Sequence, residues 1–328
     1  MNDVEELLTD SLRGRAAGDV DAAGLLAGAT SRGRVYRRRR RLWTGTAVFA
    51  AVLLVTAGAV TVTGGLGDGS FAPGGASTSE LPRVTGEPGA SSDPSRVGTD
   101  PNMVHFAAPK LTATARHYRW TSGDGYEQLE IGLGEQDLVH ASIGRDMALL
   151  DEVSTRGDYG VVIREEPVPG LQLRVQANRD DRARQVLAAL RLDLAQRIML
   201  PFQLGEVPAD ARAVHASVGF LDGTFVDGGV TLERGATDRM QVHAERARDD
   251  ATGSVHGANH SAGGRPAFRY PDGTEVALLG LPQLLVNARI GQVDRQGFDL
   301  ADVDLVLGQM NLAADVDSVA SWPYPLLG

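Results

Sequence analysis

Leu129-Glu130-Ile131-Gly132 and, after a short gap, Val139-His140-Ala141-Ser142-Ile143-Gly144-Arg145-Asp146 recur as Leu232-Glu233-Arg234-Gly235 and Val242-His243-Ala244-Glu245-Arg246-Ala247-Arg248-Asp249. The two stretches align without a gap at an offset of 103 residues. Apolar and polar residues alternate in both, which is the pattern of half-buried strands. A supersecondary pattern that returns at a fixed spacing marks tandem copies of one unit.

Working outward, Arg116 to Thr121, Tyr126 to Leu133, Val161 to Glu165 and Leu171 to Ala177 read as strands. Turns are placed at Ser122-Gly123-Asp124-Gly125 and Pro167-Val168-Pro169-Gly170. The period then changes: Ala183, Val186, Leu187 and Leu190 share one helical face after an acidic start at Asp180 and Asp181. In the second half, Leu284 to Ala288 matches Leu171 to Val175, and a helix around Leu307 opens with Asp299, Asp302 and Asp304, charges that complement a helix N-terminus. The expected fold class is therefore α+β. Two tandem modules, 102–200 and 201–328, would each be a mostly antiparallel sheet closed by one helix, with a border near Pro201 to Pro208. Residues common to both copies (His140 with His243, Glu130 with Glu233, Asp146 with Asp249) are read as scaffold, because symmetry of a fold does not identify a site.

Upstream, residues 67–101 are dominated by Gly, Pro, Ser and Thr and read as a flexible linker. Residues 42–66 carry no charge and are long enough for a transmembrane helix, which needs roughly 20 residues. Arg37, Arg38, Arg39, Arg40 and Arg41 precede this run, and Trp43 stands where an interfacial aromatic is expected. Positive charge is retained on the cytoplasmic side. Residues 1–41 should thus be a short cytoplasmic segment and the C-terminal part extracytoplasmic, a single-pass protein of the cell membrane. The apolar run continues past the small-residue pattern Ala57-Gly58-Ala59, which favours an uncleaved anchor over a signal peptide.

Composition narrows the chemistry. The chain has no cysteine, which removes disulfides, thiolate metal sites and cysteine nucleophiles. Its formal charge is −10, while residues 1–42 hold nine arginines against six acidic side chains, so the acidity resides in the C-terminal part. Such a region does not suit nucleic acid, whose phosphates need clustered cations. His256 and His260 have a spacing that would bring two imidazoles together on a helix, and they are the candidate metal ligands. The glycines around them favour a loop, and no glutamate base lies between them. No nucleophile elbow, phosphate loop or dinucleotide fingerprint is present, and no cofactor is expected.

The layout of Arg37 to Arg41, the apolar run from Leu42 to Leu66, a tether and a larger domain resembles bacterial membrane-bound anti-sigma factors and related actinobacterial single-pass proteins. The resemblance implies a regulatory protein with a partner on one side of the membrane. It departs from the zinc-binding anti-sigma pattern, since residues 1–42 contain neither histidine nor cysteine. The reading is a non-enzymatic protein that contacts membrane lipid through its anchor and an unknown protein or ligand through its duplicated outer domain. The alternatives are a membrane-tethered hydrolase and a carrier of lipid or another small ligand. Because the chain lacks cysteine, its orientation can be read directly in intact cells. The variant Ser77→Cys should react with a membrane-impermeant maleimide, and Ser11→Cys only after permeabilisation; the reverse pattern would invert the topology.

Overall fold

The computed structural model describes residues 81–134, 137–154, 159–235, 238–247, 257–291 and 297–328. The arginine run, Trp43 and the apolar segment 42–66 lie outside the described residues, as do Asp249 and His256. Among the described residues, no helix is long and apolar enough to cross a membrane.

In chain order the first part comprises β1 (Met103–Val104), α1 (Pro109–Thr112), β2 (His117–Gly123), β3 (Tyr126–Gly132) and β4 (Leu138–Gly144). Next come α2 (Met147–Ser154), β5 (Val161–Val168), β6 (Leu171–Ala177) and α3 (Asp180–Ala189). After the short strands β7 (Gln196–Arg197) and β8 (Phe202–Gln203) follow the long strands β9 (Ala211–Leu221), β10 (Thr224–Arg234) and β11 (Asp238–Arg246). The chain ends with β12 (His260–Ala262), β13 (Arg265–Arg269), β14 (Glu275–Leu278), β15 (Leu284–Ile290), α4 (Leu300–Gly308) and β16 (Asn311–Leu312).

Twelve of these strands form a single antiparallel sheet in the order β12-β13-β14-β15-β11-β10-β9-β2-β3-β4-β6-β5. This corrects the expected α+β class and its pair of separate sheets. Among the described residues the chain is mostly β, and the helices there, of 4, 8, 10 and 9 residues, form no layer of their own. The cause is one contact: β2 and β9 pair along seven residues, from His117↔Leu221 to Gly123↔His215, so two half-sheets share one hydrogen-bonded ladder. Counted outward from this seam, both halves begin with a three-strand meander and then add the last strand before the helix, β6 or β15. Each meander starts with a two-residue turn, Asp124-Gly125 or Asp222-Gly223. All four residues have positive φ, as a type I′ hairpin requires.

Alternation divides the sheet into two faces. Tyr118, Trp120, Leu129, Ile131, Ala141, Val175, Val218, Phe220, Val242 and Val286 project to one side and are buried. Phe106 meets Trp120 edge-on at 5.2 Å, Tyr118 stacks on Phe220 at 5.0 Å, and Trp322 from the C-terminal segment packs against Phe220 and Phe225. Helices α3 and α4 contribute Ala183, Val186, Val303, Val306 and Leu307 to the same core. Part of the expected linker also belongs here: Leu81, Ala90 and Val97 are buried against the sheet. The carboxylate of Glu127, on the core face of β3, pins this arm. It accepts hydrogen bonds from the Gly98 and His105 N–H groups at 3.0 and 2.5 Å and contacts the His105 ring at 2.6 Å. Such a carboxylate tolerates full burial because its lone pairs are satisfied.

Candidate functional site

The opposite face of the sheet is polar. Strand pairing sets one row of side chains across it at right angles to the strands: Gln176, His140, Glu130, Arg119, Gly219, Asp227 and Glu245, from β6, β4, β3, β2, β9, β10 and β11. The row crosses the seam at Arg119 and Gly219. Its members reach one another because cross-strand neighbours on one face lie about 5 Å apart.

Arg119 and Asp227 come from strands that are not adjacent, and two features let them meet. A bulge at Val226 shifts the alternation, so Phe225 faces the core while Asp227 faces the polar side opposite Gly219. Gly219 then leaves the gap: a Cβ there would lie 2.6 Å from Asp227 Oδ1 and 3.2 Å from Arg119 Nη2. Over this glycine, Arg119 Nη2 donates to both Asp227 oxygens at 2.7 and 2.8 Å. Burial alone would raise the Asp227 pKa, but Arg119 and His243 outweigh it and hold the carboxyl well below its usual range. Burial likewise opposes the charge on Arg119, and Asp227 reverses that effect, pushing the guanidinium pKa up. His243 Nε2 stands 3.8 Å from Asp227 Oδ2, with its ring over Gly229.

On the other side of Arg119, Glu130 lies between two imidazoles. His117 Nδ1 is 3.7 Å from one of its oxygens and His140 Nδ1 is 3.7 Å from the other. The Tyr159 hydroxyl closes this end with a 2.5 Å hydrogen bond to His140 Nε2. The nearby carboxylate favours a proton on Nδ1, so Nε2 accepts and the phenol donates. Burial, helped by the charge of Arg174, lowers the His140 pKa to about 4. Burial and the Glu130 charge push the Tyr159 phenol up to about 12. His117 is also lowered, by burial against the pull of Glu130, and His215 on the same face is lowered by burial.

The residues singled out in the sequence have separate fates. His140 and His243 both lie on the polar face, but the gapless correspondence fails around them. Glu130 stands opposite His140 whereas Gly229 stands opposite His243, and Glu233 faces Arg239 instead. The cause is turn length, since Gly132 pairs with Leu138 in one hairpin and Arg234 with Asp238 in the other. Asp146 caps the start of α2 by accepting from the Ala148 N–H at 2.8 Å. His260 lies on β12, not on a helix, and bonds Asp304 of α4 at 2.6 Å. Asp299 and Asp302 form a capping box at the start of α4, and Asp302 also receives Arg234. Among the described residues, no group of three His, Asp or Glu side chains is arranged to hold a metal ion.

Sequence reasoning overlooked Arg119, Asp227 and Tyr159. The signal for Asp227 was an acidic residue within a run of strand residues, followed by Gly228-Gly229, which is a bulge pattern. Compared with known families and curated proteins, the chain matches no family model and no protein. The geometry alone defines the class of the described residues, a mostly β fold with a charged, cross-sheet row on the polar side of one antiparallel sheet.

Two outcomes follow. Between pH 6.5 and about 4 the unfolded chain takes up a proton at residue 140 that the folded chain refuses. His140 should therefore reduce stability as pH falls through this window, by about 3 kcal/mol in all. Chemical denaturation of His140→Gln should show a correspondingly flatter acid dependence. Gly219→Ala should break the Arg119–Asp227 contact and cost about 1–3 kcal/mol, read as a lower denaturation midpoint.

Proposed function

We propose that this is a membrane-anchored, non-enzymatic protein whose outer domain, a tandem duplication, binds a protein or ligand through the polar face of its sheet. The observation that carries the reading is the row from Gln176 to Glu245, flanked by His117 and His243. His117, Arg119 and His243 are 29%, 21% and 30% exposed, so the middle of the face is partly open to solvent above the seam. Charges of both signs held in fixed positions suit recognition, where complementarity selects a partner.

The His140–Tyr159 pair at one end of the row argues against catalysis. A general base works best with a pKa near the operating pH. Here His140 is pushed down to about 4 and Tyr159 up to about 12, so their shared proton stays on the phenol. The core face does not favour carriage of lipid, because Trp120, Tyr118, Phe106, Phe202 and Phe220 already fill it at 1% exposure or less. The matched strand order of the two halves and their opening Asp-Gly turns support duplication. The anchor rests on the run from Leu42 to Leu66 and its preceding arginines.

The test uses the full-length chain. It should turn over no ester, glycoside or peptide in a substrate panel, and cross-linking in membranes should trap a defined partner that the double variant His117→Glu, His243→Glu no longer traps. Turnover abolished by His140→Gln in a folded protein would replace this reading with the hydrolase, and trapping unaffected by the double variant would move the surface elsewhere.

A further inference from the structure

A second polar cluster lies at the β5 edge of the same face, beside the His140 end of the central row. Arg164 on β5 and Arg174 on β6 are direct cross-strand partners. Like charges in this position repel, so an anion between them is needed to make the arrangement favourable. The anion present is Asp151, carried by the eight-residue helix α2, which lies on the polar face with Leu150 against Gly144.

The match between this carboxylate and its two cations is incomplete. Arg164 Nη2 and Nε donate to Asp151 at 2.9 and 3.3 Å, and Arg174 Nε donates at 2.8 Å, and all three bonds end on the same oxygen, Oδ1. Arg174 is only 5% exposed, and its buried Nη1 has no hydrogen-bond partner among the described residues. Among the described residues, one carboxylate, Asp151, is paired with both guanidiniums. Burial holds the Arg174 pKa below its ordinary range, against the attraction of Asp151 and with Arg164 pushing the same way.

The floor beneath the helix is built of hydrogen-bonding groups. Ser142, 1% exposed, is the cross-strand neighbour of Arg174; it accepts from Gln128 Nε2 at 3.1 Å, which leaves its own O–H as a donor. Glu166, the next residue on this face of β5, is engaged with the Gly170 N–H at 2.9 Å. Two guanidiniums, a spare buried N–H and a serine hydroxyl suit an acceptor with three oxygens and nearly two negative charges better than a carboxylate.

We propose that Arg164, Arg174 and Ser142 form a binding site for a small phosphate-type oxyanion, which α2 closes by inserting Asp151 as an internal substitute. The ligand and Asp151 compete for the same donors, so binding and undocking of the helix are one equilibrium.

Inorganic phosphate is the probe, titrated into the full-length chain against chloride of matched ionic strength, with thermal unfolding as the readout. Asp151→Asn should bind phosphate saturably and roughly tenfold or more tighter than the parent chain, because the competitor is gone. The double variant Asp151→Asn, Arg174→Gln should lose the effect. In the parent chain, phosphate should speed hydrogen exchange of amides 147–153. A response of Asp151→Asn no greater than that to chloride, or one that survives Arg174→Gln, overturns the proposal. Should Asp151→Asn fail to fold, exchange in the parent chain decides: acceleration at 147–153 supports the site, and none at the highest soluble phosphate overturns it. This experiment reads phosphate binding and helix exchange, not partner capture, so its outcome is separate from that of the partner-binding test.

Discussion

The β2–β9 pairing is the constraint on which the rest of the structure depends. Without its seven residue pairs, two long strands would present unpaired N–H and C=O groups along their edges, an exposure that folded proteins avoid. The core would also be split, since Tyr118 and Trp120 on one side of the seam share their burial with Phe220 and Val218 on the other. One ladder therefore settles both backbone satisfaction and apolar packing. The arm held by Glu127 and the C-terminal segment carrying Trp322 cover the same central strands, which places an aromatic cluster at the junction of the two halves.

The seam also creates the chemistry of the polar face. Arg119 and Asp227 belong to different halves and touch only because β9, between them, contributes a glycine. A buried ion pair of this kind is weak evidence for added stability, because desolvation offsets much of the attraction. It does fix register: a slip along the seam would strand both charges on a half-buried surface. Burial favours the neutral imidazoles of His117 and His140, so the charges of the row are those of Glu130, Arg119, Asp227 and Glu245. Nearer the β5 edge the balance reverses, with two arginines sharing one carboxylate.

Local elements were legible in the sequence because local rules govern them. The strands at Tyr126–Gly132 and Leu171–Ala177 lie where alternation placed them, the helix at Asp180–Ala189 lies where the period changed, and the Asp-Gly turn lies where residues tolerant of positive φ stand. The candidate site was much less legible. His140, His243 and Glu130 were visible as shared residues, but the partners that define their chemistry, Tyr159, Arg119 and Asp227, are separated from them by strand order and by a bulge that reverses one residue's face. The gapless match between the halves misled in one respect: it aligned Glu130 with Glu233, whereas hairpins of unequal turn length set different registers.

What the sequence determined by itself is what depends on neighbours along the chain: strand and helix periodicity, turn chemistry, the helix-capping aspartates, the absence of thiol chemistry, and an arginine-flanked apolar segment of membrane-spanning length. What only the tertiary structure decided is that the two halves form one sheet instead of two, and that a charged row runs across it. Hydrogen bonding between the edges of β2 and β9 joins residues about 100 positions apart and leaves no periodic trace in either strand, because each edge reads the same whether it meets a partner or water.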